Sequence, residues 1–239
     1  LRQACEHAGV PVLGSIPRTD ELAVPSRHLG LVTAVEHGRR ASAAVQAMTD
    51  LVSRHVDLDA VVRVAASRVV DEPWTPALFP TTQPATVALA AGKAFTFGYA
   101  EHREILAAAG AEVVEFDPLS DPLPARASAL VLPGGFPEEF GTELSANDVV
   151  RGQIRALAAG GAPVHAECAG LTYLVDELDG HPMCGVLAGS ASFTASLTLG
   201  YRDAVAVADS ALHRVGDRLV GHEFHRTTVQ YGDGRQPAW

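Results

Sequence analysis

From residue 86 onward the chain alternates continuous apolar runs with stretches whose apolar positions recur every three or four residues. "TVALAA" (86–91), "AEVVEF" (111–116), "ASALVLPGG" (127–135) and "APVHAE" (162–167) are the runs. "AEHREILAAAG" (100–110), "NDVVRGQIRALAAGG" (147–161) and "AGLTYLVDEL" (169–178) carry the helical period. Short apolar runs between turn signals predict buried strands, and the longer period predicts amphipathic helices. Asn147 is placed to cap one helix, and Gly160 with Gly161 to end it. Strand–helix alternation of this kind predicts an α/β fold with a mostly parallel sheet, whose ligands bind at the carboxyl ends of the strands. Past residue 184 the helical period fades into strand-like runs: "CGVLAG", "ASFTASLTLGYRDAVAV", "ALHRVG" and "RLVGHEFH".

The first third of the chain reads differently. An amphipathic helix stopped by Gly9 precedes a short strand, "VPVLGSI" (10–16), and a loop punctuated by Pro17 and Pro25. A helical pattern then runs from Ala34 to Val70. Such a segment, opening inside a helix–strand unit, is expected to be the end of a domain. Residues 71–85, "DEPWTPALFPTTQPA", contain Pro73, Pro76, Pro80 and Pro84 and predict a linker, since proline breaks both helix and central strand.

Charge narrows the partners. A net charge of -10 argues against a nucleic-acid partner, since phosphate neutralisation needs clustered lysines and arginines and the sequence shows no such cluster. No apolar run reaches the roughly 20 residues of a membrane span, and the start lacks the basic and apolar regions of a secretory signal. Three cysteines without a CxxC pair fit a reducing compartment, so the expected location is cytoplasmic.

Cys168 lies where the run "APVHAE" meets the pattern "AGLTYL". A strand, sharp turn and helix meeting at one thiol is the arrangement of a nucleophile elbow. The alternative is a small buried side chain, the reading kept for Cys5 and Cys184. Gly134 and Gly135 end another strand, either as an ordinary turn or as an amide donor that forms an oxyanion hole with the N–H of Ala169. The pair is not a phosphate loop, because GxxxxGK[ST] occurs nowhere in the chain. Among the histidines, His222 and His225 in "GHEFH" stand out as partners for a thiol. Strand alternation puts His222 with Phe224 on one face and Glu223 with His225 on the other, so one histidine at most points at the thiol and no metal site is expected.

"LPGGFPEEF" (132–140), "AECAGLTYL" (166–174) and "GHEFH" (221–225), in this order, resemble the glutaminase domain of the cobyrinic acid a,c-diamide synthases, triad-type class I glutamine amidotransferases of cobalamin biosynthesis. "GVPVLGSIPRTDELAVPSRHLGLVTAVE" (9–36) resembles the end of their ATP-dependent synthetase domain. The resemblance implies a flavodoxin-like glutaminase domain at 86–239, preceded by a C-terminal remnant of a P-loop synthetase domain at 1–70, in a chain truncated at both ends. It implies Cys168 as nucleophile, His225 as the residue that raises its nucleophilicity, and Gly135 with Ala169 as the oxyanion hole. It further implies glutamine and a corrinoid, cobyrinic or hydrogenobyrinic acid, as substrates, and a homodimer as a candidate assembly. ATP and Mg²⁺ would serve the complete protein at sites outside this chain, with no cofactor for the glutaminase step. The family usually has two glycines after the cysteine, where this chain has Ala169 and Gly170, and other triad enzymes carry a glutamate at the place of Thr227. Cobyric acid synthase and the amidation partner for a cell-wall lipid precursor are enzyme alternatives. A flavodoxin-like interaction module is the non-enzymatic one.

Overall fold

A computed structural model describes residues 2–19, 34–65, 74–77, 85–210, 212–232 and 237–238. The "PSRHLGL" segment and most of the expected linker lie outside the described residues. The chain divides into two compact units, Leu1–Thr75 and Pro76–Trp239.

In the first unit, helix α1 spans Arg2–His7, α2 Ala34–His55 and α3 Leu58–Val64. The strand expected at 10–16 does not form. One antiparallel bridge, Gly14 to Val56, stands in its place, flanked by hydrogen bonds from Asp57 N to Leu13 O and Ser15 N to His55 O. Prolines on either side, Pro11 and Pro17, remove the donors a longer ladder would use. The helical pattern expected from Ala34 to Val70 breaks at Asp57, whose carboxylate accepts from Ala60 N at 2.9 Å and starts α3 afresh; residues 66–70 lie outside the described residues.

The second unit opens with strand β1 (Thr86–Ala90), α4 (Ala100–Ala108), β2 (Glu112–Phe116) and β3 (Ala129–Leu132). A 3₁₀ turn at Pro137–Phe140, α5 (Gly141–Ala146), α6 (Asp148–Ala159), β4 (Val164–Ala166) and α7 (Ala169–Leu174) follow. β1 to β4 form a parallel sheet in the order β2-β1-β3-β4. Every residue of β1 is buried, as expected of a central parallel strand covered on both faces. One face packs Ala88, Leu130 and Leu132 against Ile154 of α6 and Tyr173 of α7; the other packs Val87, Leu89 and Val131 against Leu106 of α4. Asn147 caps α6 by accepting from Val150 N, as its position predicts. Because the chain leaves β1 towards β2 on one side and returns to β3 on the other, the crevice above the carboxyl ends of β1 and β3 is a topological switch point.

β5 (Val175–Leu178), β6 (His181–Pro182), β7 (Leu187–Val205) and β8 (Arg218–Tyr231) form a second sheet, ordered β6-β5-β7-β8. Here the helix expected to reach residue 178 stops at Leu174, and "VDEL" is a strand. Asp179 and Gly180, at φ 49° and 79°, make the left-handed turn that folds β6 back on β5, and β7 pairs along the other side. The described part of "ALHRVG" forms turns, and β7 begins at Leu187 rather than at Cys184. No helix among the described residues is long and apolar enough to cross a membrane.

Candidate active site

Three connections converge at the carboxyl edge of the parallel sheet: the loop after β1, the glycine turn after β3 and the elbow after β4. The first two are tied by hydrogen bonds from Phe136 N to Ala94 O at 3.1 Å and from Phe97 N to Gly134 O at 3.0 Å. The rings of Phe97 and Phe136 meet edge to face with centroids 5.0 Å apart. Gly135 is sterically required, since a Cβ there would lie 2.0 Å from Ala94 O. A Cβ on Gly170 would lie 2.2 Å from Leu132 O, so α7 begins hard against the end of β3.

Between those contacts Cys168 is held at φ 51°, ψ −111°, a backbone conformation that non-glycine residues rarely adopt. Bonds from Glu167 N to Leu132 O and from Gly170 N to Pro133 O fix the turn on both sides. Strain of this kind persists only where the surroundings over-determine it, and it projects the side chain out of the sheet edge. The thiol is accordingly exposed, while Cys184 is buried.

The backbone amides of Gly135 and Ala169 both act on the Cys168 sulfur, favouring its charged form. Desolvation by the surrounding wall of protein nonetheless raises the thiol above its ordinary range, the amides oppose it, and the carboxylates of Glu138 and Glu167 raise it further.

His225 stands apart from this cluster. It lies on β8 opposite Thr198 of β7 and shares a face with Glu223, as alternation predicts, with Nε2 3.8 Å from Glu223 Oε1. Arg202 Nη2 holds the other Glu223 oxygen at 2.6 Å. His222 faces the opposite way, beside Tyr201. No hydrogen bond joins His225 to Cys168, and the imidazole is not among the groups that act on the thiol. The structure thus brings Cys168, Gly135 and Ala169 together and leaves His225 on the hairpin.

Glu138 and Glu167 were not singled out, although they lie within the quoted segments "LPGGFPEEF" and "AECAGLTYL". Tyr99, His102 and His165 were also missed: their rings stack edge-on in a chain, with centroids 5.2 and 5.6 Å apart. A lone histidine in a helix or strand carries no sequence signal. Beneath α7, the Tyr173 hydroxyl lies against the Cys184 thiol, too loosely for a well-formed hydrogen bond. Burial pushes that thiol up to about 12. Among the described residues no group of three or more metal-ligating side chains gathers.

Residues 86–239 match the CobB/CobQ-like glutamine amidotransferase domain. The whole chain is 70% identical, over 242 residues, to hydrogenobyrinate a,c-diamide synthase of Mycobacterium tuberculosis, covering 100% of this chain and 53% of that protein. The Streptomyces coelicolor protein of the same name is 49% identical over 274 residues, with 100% of this chain and 56% of that one covered. Cobyrinate a,c-diamide synthase of a Synechococcus strain is 36% identical over 243 residues, covering 96% and 52%. The chain spans about half the length of the curated relatives it matches. A parallel sheet with a strained cysteine elbow at its carboxyl edge, inside a segment that matches the family from its first strand to its last residue, makes this chain a member of the CobB/CobQ-like glutamine amidotransferase domain family.

Proposed function

We propose that this chain carries the glutamine-hydrolysing site of an a,c-diamide synthase of cobalamin biosynthesis, with Cys168 as nucleophile. The observation that carries the reading is the convergence of two backbone amides on the sulfur of a residue held in a strained elbow. The sulfur attacks the side-chain amide carbon of glutamine as its proton passes to His225. The Gly135 and Ala169 amides receive the negative charge that builds on the amide oxygen. The C–N bond then breaks, the proton returns from His225 to the departing nitrogen, and ammonia leaves a glutamyl thioester. Water, deprotonated by the same imidazole, cleaves the thioester to glutamate and restores the thiol. Each transfer needs the imidazole within about 3 Å of the sulfur or the water, a closer approach than the hairpin has in this structure.

In the complete protein the ammonia would amidate the a and c carboxylates of the corrinoid, and the 70% and 49% relatives favour hydrogenobyrinate over cobyrinate. Residues 1–70 are assigned to the end of a synthetase domain and 71–85 to the linker. The division at Thr75 and Pro76, and the start of the family match at residue 86, support that assignment. ATP and Mg²⁺ do not fit the residues present: the chain has no GxxxxGK[ST] motif, and its described residues gather no acidic trio, so no step is routed through them.

A glutamine-analogue electrophile incubated with the complete gene product tests the reading by peptide mapping. The expected adduct is on Cys168; an adduct elsewhere overturns it.

A further inference from the structure

The loop after β1 meets the glycine turn after β3 in a single antiparallel bridge, Phe97 to Gly134. Two aromatic rings of that loop have different fates. Phe95 is 3% exposed, with its ring centroid 5.6 Å from that of Tyr173 on α7, whereas Phe97 is 38% exposed. Phe97 is nonetheless held in place, by the bond from its N–H to Gly134 O and by the edge-to-face contact of its ring with buried Phe136. Gly134 lies between this ring and the elbow. A Cβ built on Gly134 would lie 3.2 Å from Phe97 Cβ, 3.7 Å from Phe97 Cδ2 and 3.6 Å from Cys168 Cβ. The side chains of Phe97 and Cys168 therefore flank one gap that a single methyl group would fill, and both are open to solvent.

An amide carbon poised for attack stands about 3–3.5 Å from the sulfur. In glutamine two methylenes follow directly on that carbon, and they bind best against an apolar surface. Of the two side chains that meet at the Gly134 gap, one carries the nucleophile and the other is an aromatic ring. A ring already fixed by Phe136 and by Gly134 O receives those methylenes without being immobilised first. We propose that the Phe97 ring is the apolar wall of the glutamine slot and packs against the two side-chain methylenes while the amide lies over Cys168. The proposal rests on the reading of Cys168 as the glutamine-attacking nucleophile, and it names the residue that selects an amide carried on an aliphatic arm. Gly134 belongs to the same device, because any side chain there would enter the gap between wall and thiol.

Two electrophiles aimed at the same thiol of the complete gene product test this: a chloroketone analogue of glutamine, and iodoacetamide, which has no glutamine arm. The quantity read is the rate of Cys168 alkylation by the analogue divided by the rate with iodoacetamide, so that a disturbance of the thiol itself cancels. Phe97→Ala is expected to lower this ratio by about 10- to 30-fold, the worth of two buried methylenes. Phe97→Gln, which fills the space but removes the apolar surface, carries the same expectation and decides the matter if the alanine variant does not fold. Phe97→Leu, which keeps an apolar wall, should lower the ratio by less than about threefold. An unchanged ratio in the alanine or glutamine variant overturns the proposal, and so does an equal fall in Phe97→Leu. An analogue that labels a residue other than Cys168 in the wild type overturns the glutaminase reading itself, and this proposal with it.

Discussion

At the carboxyl edge of the parallel sheet, Cys168 is held by backbone on both sides, with Leu132 O and Pro133 O accepting from its neighbours and no room for a methyl on Gly170. His225 rides on a different kind of structure. β7 and β8 pair regularly from Gly189 to Phe193, where β5 backs them, and then shift register before Thr198. Beyond the shift the ladder is a two-stranded ribbon with Tyr201 87% and Val220 79% exposed. A two-stranded ribbon is marginal in water, and a register irregularity is where a strand re-aims its side chains. His225 is the first residue of the ribbon on its strand's side of that irregularity. The comparison teaches that the nucleophile and its donors belong to the core, whereas the proposed base is placed by a segment free to adjust.

The largest expected effect falls on the rigid side. Cys168→Ala should lower ammonia release from glutamine by about four to six orders of magnitude, measured in the complete gene product. His225→Ala should lower it by about two to four, the range of a general base. In that variant, alkylation of Cys168 by iodoacetamide should be slow near neutral pH and accelerate as pH rises, because the surroundings hold the thiol above its ordinary range. Rapid neutral alkylation would break the comparison, by showing that another group serves the thiol. Stability should divide the same way: Leu132→Ala, in a fully buried β3 position, should cost about 2–5 kcal/mol in chemical denaturation, while Tyr201→Ser on the ribbon should stay within about 0.5 kcal/mol.

Much of the parallel sheet was legible because its apolar runs are short, separated by helical periods and closed by glycines. The boundary at Leu174 was not. "AGLTYLVDEL" carries an unbroken helical pattern, and the pairing of Val175 with Leu187 of β7 decides where the helix ends. The Asp179–Gly180 pair was the available clue to a hairpin, and it lay just beyond the segment read as helix. In the first unit, the isolated bridge at Gly14 shows the same limit, since a strand-like run becomes a strand only where a neighbour offers it a ladder. Within the candidate site, the elbow at Cys168 was legible because an apolar run meets a helical pattern at that one residue.

By itself the sequence determined the strand–helix order, the thiol at the end of β4, and the sharing of one face by Glu223 and His225, all consequences of backbone periodicity and local sterics. Only the tertiary structure decided that the Gly135 amide and the Glu138 carboxylate act on the Cys168 sulfur, and that His225 stands on a ribbon apart. Gly135, Glu138 and His225 lie far from Cys168 in the chain, and the packing of the sheet and the pairing of its strands set where each stands.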